Sequence, residues 1–224
     1  MSKFYVVATP IGNMGDITLR AIETLKSVDL ILCEDTRVTK KILNKYAINT
    51  PTMSYHAQSK IGKTDKIFEL LENGKNLALV SDAGTPGISD PGALLVSQIK
   101  ERFENEVEVI PIPGATALIA ALSASGLPTH EFTFLGFLPH KKGRETLFKE
   151  IAESKRTMAF YESPHRILKT LESLLKFCPD KKVCIAREIT KIYEEFKTGS
   201  PAEILEYLEK NPVKQKGEFV VIVA

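Results

Sequence analysis

The chain has 224 residues, 43% hydrophobic and 26% charged, enough for one large or two small globular domains and too apolar for a disordered chain. Its 30 basic and 28 acidic residues leave a formal charge of +2, which excludes a polybasic coat for nucleic acid, so any polyanion site must be a local patch. The three cysteines, Cys33, Cys178 and Cys184, are odd in number and have neither C-x-x-C pairing nor zinc-type histidine spacing; reduced thiols and no metal are expected.

Residues 1–10, MSKFYVVATP, enter a β-rich run that Pro10 ends, without the apolar region and cleavage site of a signal peptide. The longest apolar helical stretch, 115–124, is far short of the roughly 20 residues that span a bilayer. A cytoplasmic protein without a membrane segment is the expectation.

Short β-branched runs then alternate with amphipathic periods. The pattern predicts a strand at 4–8, a helix at 18–27, a strand at 30–33, helices at 38–46 and 63–72, the latter closed by Asn73-Gly74, a strand at 77–80, a helix at 93–103 and a strand at 107–110. This rhythm implies a mostly parallel sheet with strands buried on both faces. After PIPG (111–114) comes a small-residue helix, 115–125, and then a change of style, since 131–137 alternates like a strand of a mixed sheet. A helix at 144–153, strand at 157–161, helix at 166–177, strands at 182–186 and 192–198, helix at 201–209 and buried strand at 218–223 complete the chain. The fold class is therefore α/β: two α/β domains, 1–118 on a mostly parallel sheet and 119–224 on a mixed one.

The loops after these strands carry the chemistry. SDAGTPGISDPG (81–92) follows one strand and precedes a helix, the position where open α/β sheets bind ligands. Three glycines and two prolines stiffen it, and Ser81, Asp82, Thr85 and Asp90 offer polar contacts. TPIGNMGD (9–16) also links a strand to a helix, with Asp16 as a possible cap. EDTR (34–37) brings two carboxylates and a guanidinium to the same sheet edge, as a base with its neighbours or as a capped helix start with an ion pair. The turn at 113–117, PGATA, opens a helix whose free N–H groups face a ligand or allow close packing. YESPHR (161–166) and AREITK (186–191) carry more charge than a turn requires. FLPHKKGR (137–144), near Phe132, Phe134 and Phe137, combines phosphate-tracking charge with stacking rings, although most charge runs are simply solvated. Neither G-x-G-x-x-G nor a P-loop is present, which removes the dinucleotide and NTPase signatures.

Together, TPIGNMGDITLRA, EDTR, SDAGTPGISDPG, PIPGATALIAALSASGLP, GFLPHKKGR, FYESPHR, AREITK and the terminal KGEFVVIVA resemble the tetrapyrrole-methylase superfamily, and within it the bacterial branch that methylates cytidine ribose 2′-oxygens in 16S rRNA. The resemblance implies S-adenosylmethionine (AdoMet) folded in a cleft between two α/β domains, usually in a homodimer, with no metal. It assigns Pro10, Asp82, Ala83, Gly84, Thr85, Ile88, Thr116 and Ala117 to the cofactor, joined by Tyr161, Glu162 and Ile189 from the second domain. Arg37, Lys141, Lys142, Arg144 and Arg166 are the candidate contacts to RNA, with 16S rRNA or the small ribosomal subunit as the partner that the resemblance implies. Family members often continue past the KGEF strand, whereas this sequence ends at Ala224, so a short form or one cut before an RNA-holding extension is expected.

The implied reaction is attack of a ribose 2′-oxygen on a sulfonium methyl, in which the protein aligns the partners and removes one proton. Glu34 and Asp35 are the candidate bases, with His165 as an alternative. Rival readings are a small-molecule tetrapyrrole methyltransferase and a non-catalytic RNA-binding protein on the same fold. A phosphatase is excluded because EDT lacks the D-x-D nucleophile pattern.

Overall fold

The computed structural model describes residues 1–56, 61–90 and 92–224; Pro91, one of the two prolines expected to stiffen the loop before the fourth helix, lies outside them. The chain divides into two units, Met1–Thr116 and Ala117–Ala224, each with its own sheet.

In the first unit, β1 (Ser2–Val7), β2 (Leu30–Cys33), β3 (Thr52–Ser54), β4 (Leu77–Leu79) and β5 (Val107–Ile112) form a wholly parallel sheet in the order β3-β2-β4-β1-β5. Strand residues alternate between two cores. Val7, Ile31, Cys33 and Ala78 pack on Ala21 and Leu25 of α1 (Leu19–Ser27) and Ile42 and Leu43 of α2 (Thr36–Lys45). On the other face, Phe4, Leu32, Leu77 and Leu79 pack on Ile67 and Leu71 of α3 (Ile61–Glu72) and Leu95, Ile99 and Phe103 of α4 (Gly92–Phe103). The connections through α1 and α2 step one way along the sheet and those through α3 and α4 step back, so right-handed crossovers put the two pairs on opposite faces. The helix after β4 thus leaves on the opposite face from those after its neighbours β1 and β2. The carboxyl end of β4 is the topological switch point where such sheets take ligands.

One local expectation changes here, and one strand, β3, lies where no element was expected. Thr18 caps α1 by accepting from the Ala21 N–H at 3.1 Å, while Asp16 lies in a separate 3₁₀ turn, Met14–Asp16, capped by Asn13. The strand β3 has only three residues, too few for a period to show.

The second unit opens with α5 (Ala117–Ala124) and then alternates β6 (Phe132–Phe137), α6 (Arg144–Glu153), β7 (Thr157–Glu162), α7 (Ile167–Phe177), β8 (Val183–Arg187), β9 (Glu195–Gly199), α8 (Pro201–Lys210) and β10 (Phe219–Val223). Its sheet has the order β6-β7-β10-β8-β9, with only β6 and β7 parallel. Met158, Phe160, Ile185, Phe219 and Val221 form a core with Phe148, Ile151, Leu171, Leu174, Ile204 and Leu208 from α6, α7 and α8. The strand expected from residue 192 begins at Glu195 instead. Lys191 N donates to Glu188 O at 2.9 Å and Glu194 N to Lys191 O at 3.1 Å, so a turn leaves Ile192 94% and Tyr193 70% exposed.

A buried charge cluster fixes two loops of this unit. Glu162, at the end of β7, is 1% exposed. Its Oε1 lies 2.8 Å from Arg166 Nε and its Oε2 3.8 Å from Arg144 Nη2; the first contact is ionic rather than a directed hydrogen bond. Ser163 N donates to Oε1 at 2.8 Å and Thr170 Oγ1 to Oε2 at 2.6 Å. Arg144 also donates to Thr170 Oγ1 at 2.7 Å and Pro139 O at 3.2 Å, and Arg166 to Leu138 O at 2.8 Å. The two guanidiniums therefore tie the loop 138–143 to the turn 163–166.

Glu162→Gln leaves both guanidiniums without their shared countercharge, and a loss of about 3 kcal/mol in urea unfolding is expected; unchanged stability would contradict the cluster. A Cβ at Gly114 would come within 2.9 Å of Ala8 Cβ, so Gly114→Ala should lower stability by about 1–3 kcal/mol through overpacking, read from the same titration.

Candidate functional site

At the carboxyl edge of the first sheet, the loop after β4 is locked to the chain leaving β1. Thr9 N donates to Gly84 O at 2.9 Å and Gly84 N to Thr9 O at 3.1 Å, an isolated antiparallel bridge. Buried Thr9 sends its Oγ1 to Ser81 O at 3.1 Å, Ser81 Oγ reaches Ala83 O at 3.3 Å, and Thr85 Oγ1 donates to Ala115 O at 3.3 Å. These hydroxyls satisfy the loop's carbonyls internally and hold its shape. Gly84 has φ +82°, a left-handed conformation in which a side chain is strained. Gly92 serves a close approach instead, since its Cβ would lie 2.8 Å from Leu79 Cδ2. The structure thus gathers buried Pro10 and Gly84, half-buried Asp82 and Thr85, and exposed Ala83 and Ile88 at one edge. Thr116 ends the first unit and Ala117 opens the second; both are half-buried.

The two adjacent carboxylates after β2 have different environments. Asp35 is the N-cap of α2, accepting from the Arg37 N–H at 2.8 Å and pairing with Arg37 Nη2 at 2.6 Å. Its hydrogen bonds from the Arg37 side chain and backbone hold its carboxyl at about 2, which makes it a poor proton acceptor. Its place is therefore that of a helix cap, a correction to its expected role as a base. Glu34 is half-buried; burial lifts its carboxyl above the usual glutamate range, Asp90 and Asp82 add to the rise, and His56 and the Asp82 N–H oppose it. Burial also lifts Asp90, against hydrogen bonds from Ser81 and the Gly92 N–H. Asp82 Oδ1 accepts from Asp35 N at 3.1 Å, tying the loops after β2 and β4 together. The result is a proton acceptor of raised affinity beside a rigid loop that presents backbone and carboxylate groups.

In the second unit, Tyr161 makes edge contacts with Phe134 and Phe137, centroids 4.9 and 5.5 Å away, and Phe137 is 56% exposed. The Glu162 carboxylate is consumed by its two arginines and Thr170, so its side chain is scaffold rather than a cofactor ligand. Arg144 and Arg166, expected against RNA, have side chains only 16% and 15% exposed and position the loops instead. Lys141 and Lys142 are exposed in the turn before α6, and His165 is exposed before α7. Ile189 is buried between Glu188 and Thr190, both at positive φ, in a turn fastened by Lys191 Nζ to Glu188 Oε1 at 2.9 Å. Thr170 escaped the sequence reading; its signal is a hydroxyl on the stripe otherwise formed by Ile167, Leu171 and Leu174. Among the described residues no helix is long and apolar enough to cross a membrane.

Residues 3–205 match the family model described as Tetrapyrrole (Corrin/Porphyrin) Methylases. A protein of Synechocystis sp. named Ribosomal RNA small subunit methyltransferase I is 50% identical, over 100% of this chain and 79% of that protein. Its namesake from Thermotoga maritima is 45% identical over 100% and 99%. Among solved structures, the methyltransferase CobJ matches with a TM-score of 0.70 at 20% identity, over 100% of this chain and 93% of that one. Cobalt precorrin-4 methyltransferase CbiF matches at 0.68 and 17%, over 98% and 94%; at such identities the likeness is one of fold. With its family model covering most of its length and such relatives covering all of it, the chain belongs to the tetrapyrrole methylase family, among the proteins named ribosomal RNA small subunit methyltransferase I.

Proposed function

We propose that this chain is an AdoMet-dependent methyltransferase that methylates the 2′-oxygen of a cytidine in the decoding region of 16S rRNA. The observation that carries the reading is identity of 45–50% along the whole chain with proteins named for small-subunit rRNA methylation. The likeness to corrinoid methyltransferases rests on 17–20% identity and supports a shared fold, not a shared substrate.

The residues present fit AdoMet. The segment 81–92 contains Asp82 and Asp90 and no lysine or arginine, a donor set suited to a cationic ligand with ribose hydroxyls and unsuited to a phosphate. Ala83 and Ile88 add exposed apolar surface, and the Thr9–Gly84 bridge keeps the loop in place. AdoMet, when bound, supplies a methyl group already activated by its sulfonium. Pro10, Asp82, Ala83, Gly84, Thr85, Ile88 and Thr116, all of the first unit, hold it in this reading.

Glu34 orients the ribose hydroxyl and takes its proton as the new carbon–oxygen bond forms and the carbon–sulfur bond breaks. Asp35 contributes through α2, whose start it caps, and His165 keeps only exposure in its favour. Arg37, Lys141 and Lys142 meet phosphates.

The decisive assay is transfer of labelled methyl from AdoMet to small ribosomal subunits that lack this modification, followed by nucleoside analysis. Label in 2′-O-methylcytidine is expected; label elsewhere would overturn the substrate, and absence of AdoMet binding would overturn the methyltransferase. Because burial raises Glu34, the single-turnover rate should fall with decreasing pH along a limb whose midpoint lies above the ordinary glutamate value. Glu34→Gln should remove that limb and slow transfer by roughly 10²–10⁴-fold. A retained limb would exclude Glu34 as the base.

A further inference from the structure

Helix α2 leads directly away from the Glu34–Asp35 loop, and its two sides differ sharply. Thr39, Ile42 and Leu43 are buried. At about 100° per residue, Arg37, Lys40, Lys41, Asn44 and Lys45 fall within an arc of roughly 140° on the opposite side, and all five are exposed. The helix sequence, TRVTKKILNK, holds four cations and no acid. Charged helix faces are usually solvated and laced with both signs, and α1, α3, α4, α6, α7 and α8 all follow that rule here. Among the described residues Lys40, Lys41 and Lys45 have no carboxylate partner, and Arg37, paired with Asp35, keeps a side chain 86% exposed. Arg37 with Lys41 and Lys41 with Lys45 are like charges one turn apart, an arrangement that opposes the helix rather than supporting it. In a chain whose formal charge is only +2, acidic residues would outnumber basic ones without this face.

We propose that the exposed face of α2 is a track for the phosphodiester backbone of the RNA substrate, carrying the strand from Lys45 toward the Glu34 loop. The inference rests on the reading of the chain as an RNA methyltransferase. Residues 37 to 45 span about 12 Å along the axis, enough for several consecutive phosphates. Asn44, within the stripe, adds an amide that bonds phosphate or sugar without reading a base. The face has no large apolar side chain, which an interfacial helix needs to enter a membrane.

The test is the salt dependence of binding to unmodified small ribosomal subunits. Lys40→Gln/Lys41→Gln/Lys45→Gln removes three phosphate contacts and should lower the slope of log affinity against log salt by about 2. KM for subunits should rise, with AdoMet affinity and the rate at saturation retained. A control, Lys26→Gln/Lys66→Gln/Lys100→Gln, makes the same charge change on α1, α3 and α4 and should keep the wild-type slope, as should Lys40→Arg/Lys41→Arg/Lys45→Arg. An unchanged slope in the α2 variant, or an equal loss in the control, would overturn the track. Lysine acetylation of the unaltered chain gives the same answer without substitution: bound subunits should shield Lys40, Lys41 and Lys45, and equal labelling with and without subunits would contradict the proposal. Wild-type protein that binds no subunits at all would instead overturn the RNA reading itself.

Discussion

The pair of hydrogen bonds between Thr9 and Gly84 is the constraint on which the site depends. A parallel sheet leaves its strand ends to be organised by long connections, and at the switch point after β4 that connection must be held without a neighbouring ladder. The bridge does this by joining the chain leaving β1 to the loop leaving β4, with Thr9 and Ser81 hydroxyls capping the carbonyls that the turn exposes. Gly84 in the left-handed region and the Gly92 approach to Leu79 are what this closure demands of the sequence.

Electrostatics then separates two neighbours. Asp35 faces the first N–H groups of α2 and Arg37, both of which stabilise its anion; Glu34 turns toward Asp82 and Asp90 under partial burial, which destabilise the anion. The same chemical group is held ionised as a cap at one position and has its proton affinity raised at the next. The second unit repeats the contrast with cations: Arg144 and Arg166 are withdrawn around Glu162, while Lys141 and Lys142 remain in solvent. Placing the scaffold charges inside and the free charges outside lets the basic loop be rigid and available together.

Much of the architecture was legible because buried strands such as LILC and FVVIV are nearly unbroken apolar runs, and α7 and α8 show clear helical periods. What escaped was set by distant partners or by backbone strain. Arg144 reads as a loop cation until Glu162 and Thr170, 18 and 26 positions on, are seen to enclose it. Ile192 and Tyr193 read as strand until the positive φ of Glu188 and Thr190 turns the chain away. The loop 81–92 could be located from its Gly and Pro content, but its pairing with Thr9 joins residues 75 apart, which no local pattern encodes. EDTR offered two adjacent carboxylates, and only the hydrogen bonds from the Arg37 backbone and side chain show that Asp35 is the helix cap.

The central claim is that the Thr9–Gly84 bridge holds the loop proposed to receive AdoMet, and amide hydrogen exchange tests it most directly. Thr9 and Gly84 amides should exchange slowly without ligand, and AdoMet should add protection within residues 81–88. Rapid exchange at both amides in the free protein, or AdoMet protection that spares this loop, would contradict the account.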